Sequence, residues 1–340
     1  MSEKIRKSVT SFDVAKLAGV SRSMVSRAFT DGADISEESR AKVKAAAAQL
    51  GYRVNHLARG LQTRHSELVG IVASALDTPF RSRQVKIAAR ECILRGYRPI
   101  LLVAEKTEEV EQLISMLFNY NVAGMIITSA APSSEIVREA NSLDVPIVLI
   151  NRECDIDGPD VIEVDLVQAG ELAFSMLTRS GAKRLAVIQP KYPSFSVTGR
   201  ANSFRECCLR NDVDVKVFTC ASQSYQAGFD VGGELGVSLK DIDGVFCSTD
   251  LIALGVLDRL RGDWNTKVPE ELEIVGFDNI EQAGWGSYNL STIYQNADEQ
   301  ATAAVELMVD RIKNPGRAPL RQRQLVTPVF RKTTRNTHEL

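Results

Sequence analysis

The sequence has only three histidines, His56, His65 and His338, and its six cysteines (Cys92, Cys154, Cys207, Cys208, Cys220, Cys247) form no C-x-x-C pair and no group with histidine at metal-ligand spacing. Scattered free thiols of this kind are ordinarily core residues, so no metal and no cofactor are expected. No apolar run approaches the roughly 20 residues that a bilayer span needs, and residues 1–10 are polar, without the apolar stretch of a signal peptide. A cytoplasmic protein that does not cross a membrane is the expectation. The glycines Gly228, Gly232, Gly233 and Gly236 do not make a G-x-G-x-x-G between a strand and a helix, and no Ser/His/Asp set is visible. The sequence therefore does not read as an enzyme. Residues 333–340 carry no leucine heptads, which argues against an added tetramer-forming helix.

Charge is what the chain distributes unevenly. Its 340 residues suit a small module plus a larger core, and its net charge is only −2. Residues 1–65, however, hold 12 Lys and Arg against 6 Asp and Glu, whereas the remainder holds 29 against 37. A short cationic end on an anionic body points to an anionic partner such as nucleic acid.

The periodicity of that short end predicts three helices. Thr10 and Asp13 approximate a capping box, Val14, Leu17 and Ala18 share a face, and Gly19 stops the helix. Ser21 caps a second helix with Met24, Val25, Ala28 and Phe29 on its apolar stripe and Arg22, Ser23, Ser26 and Arg27 on the other face. Ser36 opens a third, with Glu37 and Glu38 at its N-terminal dipole, Val43, Ala46, Ala47 and Leu50 inward, and Gly51 at its end. From Glu67 onward short apolar strands (68–73, 100–104, 124–128, 147–151) alternate with amphipathic stretches, the pattern of β-α-β units. A second set follows at 185–188, 215–218, 245–247 and 274–277, then a long helix at 298–312 and an extended piece at 324–329. Two Rossmann-like lobes fit this better than one sheet.

D-V-A-K-L-A-G-V-S at 13–21 followed by M-V-S-R at 24–27 is a helix, a tight turn and a second helix, the layout of a helix-turn-helix. This run, continued by G-Y-R-V-N at 51–55 and A-R-G-L at 58–61, resembles the lac-repressor (LacI/GalR) family, and the likeness extends along the rest of the chain. The resemblance implies an α/β protein with a three-helix DNA-binding headpiece (1–52), a hinge with a hinge helix (53–66) and a core of the periplasmic-binding-protein type (67–340). Lobe 1 is expected at about 67–163 plus 295–322, and lobe 2 at about 164–294 plus 323–340. It implies a homodimeric transcriptional regulator that binds double-stranded operator DNA and a small sugar-like effector: a sugar, sugar acid or sugar phosphate.

By position, Arg22, Ser23, Ser26 and Arg27 match the family's DNA-reading helix; arginine suits bidentate contact with guanine, though a phosphate contact is the plainer alternative. Asn55, Ala58, Arg59 and Leu61 match the hinge, with Leu61 as a minor-groove wedge, although Val54 stands where proline is common and Gly60 weakens a helix. For the effector, the matching positions are Asp77, Phe80, Arg81, Ser129, Arg152, Asp165, Arg200, Phe204, Asp250, Asp278 and Trp285: polar groups at strand ends beside flat apolar surfaces. Asp165 and Asp250 equally read as helix caps. Asn151, Thr249 and Ser203 depart from the residues usual there. A periplasmic sugar receptor lacking a DNA reader, or a Rossmann-type enzyme, are the rival readings; the basic helical headpiece opposes the first and the missing catalytic set the second.

Overall fold

The computed structural model describes residues 9–29, 32–53, 66–152, 157–179, 181–192 and 194–335. The hinge positions Asn55, Ala58, Arg59 and Leu61 lie outside them. The chain divides into two compact units, residues 1–66 and 67–340.

In the first unit, α1 (Ser11–Ala18), α2 (Arg22–Ala28) and α3 (Glu37–Leu50) enclose a small core of Val14, Ala15, Val25, Ala28, Val43, Ala46 and Ala47. Each helix starts where a side chain replaces a missing backbone partner. Asp13 Oδ2 accepts from the Thr10 backbone N–H at 2.9 Å and from its hydroxyl at 2.7 Å. Ser21 Oγ accepts from Met24 N at 3.3 Å, and Ser36 Oγ from Ser39 N at 3.3 Å. Gly19 ends α1 at φ +66°, a left-handed turn that glycine enters without a Cβ clash. Leu17, expected inward, is instead 45% exposed. The inward stripe of this short helix runs through Val14, Ala15 and Ala18, and Leu17 lies about 100° round from Ala18.

The second unit is two lobes of one plan. Lobe 1 holds β1 (Leu68–Ala73), β2 (Arg98–Val103), β3 (Gly124–Ile127), β4 (Ile147–Ile150), β5 (Asp160–Val164) and β11 (Arg321–Gln324), with α4 (Pro79–Leu94), α5 (Val110–Asn119), α6 (Ser134–Ser142) and α11 (Ala297–Lys313). Lobe 2 holds β6 (Leu185–Pro190), β7 (Val215–Cys220), β8 (Gly244–Cys247), β9 (Glu273–Asp278), β10 (Ser291–Tyr294) and β12 (Thr327–Val329), with α7 (Leu166–Thr178), α8 (Phe195–Arg210), α9 (Tyr225–Val237) and α10 (Asp250–Asp263). The sheet orders are β2-β1-β3-β4-β5-β11 and β7-β6-β8-β9-β10-β12. Every pairing is parallel except that of β12 with β10.

Strands β1, β3 and β4 are buried on both faces, as a parallel sheet covered by helices requires. In lobe 2, α9 and α10 approach backbone to backbone: a Cβ on Gly255 would stand 2.1 Å from Tyr225 O. Cys92, Cys207, Cys208, Cys220 and Cys247 are buried thiols, in line with their reading as core. The extended piece at 324–329 resolves into β11 and β12, one in each sheet. Two short strands, β5 and β10, were not legible in the periodicity. The chain passes between the lobes at Asp165, at Gln295–Asn296 and at Leu325–Val326.

Candidate functional site

In an open parallel sheet a crevice forms beyond the carboxyl ends of the strands where the strand order reverses. Here that point lies between β1 and β3 in lobe 1 and between β6 and β8 in lobe 2. The two crevices face one recess. Its walls are Thr78, Pro79, Phe80 and Arg81 at the start of α4, Asn151 after β4, Ser194, Ser196 and Arg200 on α8, Thr249 and Leu251 at the start of α10, and Asp278 ending β9. Its free volume is about 30 Å³. A hollow of about 510 Å³ adjoins it and shares Pro79, Phe80, Asp278, Ile280 and Gln295.

A chain of amides and charges crosses the recess from lobe to lobe. Arg81 donates to Gln84 Oε1 at 3.2 Å, Gln84 Nε2 to Gln300 Oε1 at 2.8 Å, and Asn151 Nδ2 to the same oxygen at 2.9 Å. Gln300 Nε2 donates to Gln295 Oε1 at 3.2 Å, Gln295 Nε2 to Asp278 Oδ1 at 2.5 Å, and Arg200 meets the same carboxylate oxygen at 3.3 Å. Arg200 also stacks on the Phe277 ring, 4.0 Å from its centroid. Asn151 at φ +54° and Asp278 at φ +116° hold left-handed backbone, the kind of local cost that persists where the surroundings fix a side chain's direction.

Electrostatically the two sides differ. Arg152 donates to Asn151 O at 3.0 Å and to Thr128 O, which also accepts from Arg81 at 2.8 Å. Two guanidiniums thus share one neutral carbonyl. Burial pushes the Arg81 guanidinium down to about 10, with Asp278 opposing and Arg200 adding to the fall. Burial, and then Arg81, hold Arg152 well below its ordinary value. Burial likewise lowers Arg200 and raises Asp278, each partly offset by the other. Burial and Asp278 push Asp250 up to about 7.

Of the residues expected at the effector, Phe80, Arg81, Arg200 and Asp278 line the recess, and Arg152 sits behind Arg81 on Thr128 O. Asp77 and Ser129 instead line a separate hollow of about 480 Å³ with Ser74 and Lys106. Phe204, one helical turn beyond Arg200, points into the lobe 2 core, fully buried and 5.2 Å from the Phe246 ring centroid. Asp165 caps α7, accepting from Gln168 N at 2.9 Å. Asp250 neither lines the recess nor caps a helix, since Thr249 caps α10. It accepts from Ile280 N at 2.9 Å and Thr292 Oγ1 at 2.6 Å and so fixes the turn after β9. Gly276 is required beside it, because a Cβ there would stand 2.2 Å from Asp250 Oδ1. Trp285 is half exposed, on the loop after a short 3-10 turn. Arg83, two residues beyond Arg81, is tied at the surface to Asp298 at 2.6 and 2.9 Å.

Sequence reasoning missed Gln84, Gln295 and Gln300. The signal was present for two of them: Gln300 falls in the buried stripe Ala297, Gln300, Ala301, Ala304 of α11, and Gln84 in that of α4. A fully buried glutamine must be hydrogen-bonded, so each marks a polar network.

On the first unit, Arg22, Ser23, Ser26 and Arg27 are all exposed along α2, while Val25 and Ala28 face the core. Ser21 Oγ and Ser23 Oγ lie 2.8 Å apart at the helix start.

Residues 12–55 match bacterial regulatory proteins of the lacI family, and residues 174–334 match the periplasmic binding protein-like domain. The chain is 32% identical over 327 residues to the ribose operon repressor of Bacillus subtilis (strain 168), covering 95% of this chain and 98% of the relative. The chain belongs to the lacI family. This lacI-family chain is also 24% identical over 309 residues to the transcriptional repressor PurR of Histophilus somni, covering 90% of this chain and 92% of that one. Its fold matches that of the Lac repressor dimer bound to operator and anti-inducer with a TM-score of 0.85 at 22% identity, over 96% of this chain and 99% of that one. A lacI-family regulator from Enterococcus faecium with bound ribose matches at 0.71 and 24% identity, over 78% and 98%. The regulator described here is a DNA-binding transcription factor rather than an enzyme. Among its described residues no helix is long and apolar enough to cross a membrane.

Proposed function

We propose that this lacI-family regulator is a cytoplasmic, homodimeric repressor whose operator affinity is set by a small sugar-like effector held between the lobes. The observation that carries this reading is the recess lined from both lobes and spanned by the Arg81–Gln84–Gln300–Gln295–Asp278–Arg200 chain. A ligand replacing those contacts changes how the lobes are held, and three crossings of the chain leave them able to move as rigid bodies. Phe80, Arg81, Asn151, Arg200 and Asp278 bind the effector; Asp250 positions the turn that carries Asp278. The ribose named in the B. subtilis relative supports a sugar-like ligand.

Arg22 and Ser23 read base edges from the start of α2, with Ser26 and Arg27 one turn on, and the 53–66 segment acts as the hinge through Asn55, Ala58, Arg59 and Leu61. A second copy covers the equivalent sheet edges β2 and β7, where Leu101, Val103 and Val217 are exposed beside Ile93 and Leu94 of α4. Two-fold symmetry then requires a roughly palindromic operator. Selecting binding sites from random DNA tests this: wild type should yield a palindrome, and Arg22→Ala should relax one base in each half-site at a cost of about 1–3 kcal/mol. Identical selected sequences, or uniform weakening, would reduce Arg22 to a phosphate contact.

A further inference from the structure

We propose that the effector carries a negative charge, a carboxylate or phosphate, and that Arg81 and Arg152 of lobe 1 hold it. This rests on the reading of the recess as the effector site. The charge count there is one-sided. Arg152 is 5% exposed, Arg200 is 4% exposed and Arg81 is partly buried, yet among the described residues only Arg200 forms an ion pair, with Asp278. Arg81 and Arg152 converge on the single carbonyl of Thr128, a like-charge arrangement that is costly in a poorly solvated place unless an anion joins it. Asp278 is already engaged by Arg200 and Gln295, and Asp250 by Ile280 N and the Thr292 hydroxyl.

Two further observations point to a ligand and to its sign. Buried polar atoms that find no partner among the described residues include Arg152 Nε, Arg200 Nε and Thr128 Oγ1, on two of the arginines and on the residue whose carbonyl Arg81 and Arg152 share. Buried polar groups are ordinarily satisfied, so a cluster of exceptions marks a place where something else supplies the bonds. All three can donate, and two of them are guanidinium N–H groups, which favours an acceptor-rich ligand. The N-termini of α4 and α8, helices of 16 residues each, and of the 14-residue α10 also open on the recess, and neither Thr78 nor Ser194 caps its helix through its side chain. First-turn N–H groups and aligned dipoles add positive potential at the place where the guanidiniums stand. Guanidinium binds carboxylate and phosphate through paired, charge-assisted hydrogen bonds, which a neutral hydroxyl cannot match.

The test uses the full-length protein and two kinds of probe. Thermal unfolding is followed in inorganic phosphate against chloride at equal ionic strength for wild type, Arg81→Gln, Arg152→Met and, as a surface control, Arg138→Gln. The oxyanion should raise the midpoint of wild type and the control, and the increment should vanish in Arg81→Gln and Arg152→Met. Arg152→Met should also be at least as stable as wild type in chloride, since it removes an unpaired buried charge, whereas a purely structural arginine would cost stability when lost. Calorimetry then compares ribose with ribose 5-phosphate, and glucose with gluconate and glucose 6-phosphate. The charged member of a matched set should bind at least about tenfold more tightly, and Arg81→Gln should abolish that margin. A neutral sugar that binds as well as its charged counterpart, and is lost in Arg200→Ala, overturns the charge inference while leaving the effector site in place. Phosphate increments or ligand affinities that ignore Arg81, Arg152 and Arg200 alike overturn the site itself.

Discussion

The two lobes repeat one backbone plan and arm it differently. In each, the fourth strand, β4 or β9, ends in a left-handed residue aimed at the recess, and a 16-residue helix, α4 or α8, follows the first strand and brings an arginine. In lobe 2 that strand ends in Asp278, which pairs with Arg200. In lobe 1 it ends in the neutral Asn151, next to Arg152, and neither Arg152 nor Arg81 pairs with a carboxylate among the described residues. The half that supplies its own counterion is suited to fixing geometry. The half that does not is suited to recognising one in a ligand.

The largest expected effect lies in the lobe 2 core, one helical turn from Arg200. Phe204→Ala should lower stability by about 3–5 kcal/mol, because it removes a fully buried ring packed on Phe246. Denaturant titration of the variant checks it; a near-wild-type midpoint would return Phe204 to the effector site. Next comes the paired arginine. Arg200→Ala leaves Asp278 buried with one partner fewer and should cost about 3 kcal/mol, opposite in sign to Arg152→Met. Equal losses from both arginines would erase the distinction between the lobes.

The smallest effect is a change of slope. The Asp250 carboxyl titrates at about 7 in the folded protein and at roughly 3.9 in the unfolded chain. Between those values the folded state binds more protons, so stability falls as pH rises through that window, and the protonated contribution is gone above about 7. Burial moves Asp278 in the same direction. Asp250→Asn should therefore flatten the fall in unfolding midpoint between about pH 5 and 8, since its amide oxygen still accepts from Ile280 N and its NH2 meets a hydroxyl able to reverse its proton. A slope as steep as that of wild type would show that Asp250 is charged throughout.

Local patterns carried much of the architecture. The caps Thr10, Ser21 and Ser36, the glycine stops Gly19 and Gly51, and the alternation of apolar strands with amphipathic helices are short-range events, set within a few residues, and each was legible in the sequence. Phe80, Arg81, Arg200 and Asp278 were reached through the resemblance to the lac-repressor family, whose cleft lies where parallel sheets bring strand ends and the first turns of the following helices to one edge. What the sequence left open was decided over long range. Asp165 and Asp250 are both acidic residues at helix starts, yet one caps its helix and the other reaches 30 residues along the chain to Ile280 N. Arg200 and Phe204 share one helix a turn apart, and only the packing of α8 on β6 sends the first to the recess and the second to the core. The strip from Arg321 to Val329 reads as a single extended piece, but β11 and β12 pair in different sheets. Gln84, Gln295 and Gln300 became a network only when α4, α11 and a chain crossing met between the lobes. Periodicity fixes which face of an element is buried, because that depends on the pitch of helix and strand alone. Which buried polar group meets which, and which guanidinium is left without a carboxylate, depends on residues more than 200 positions apart, as in the pairing of Gln84 with Gln300, and was decided by the tertiary fold.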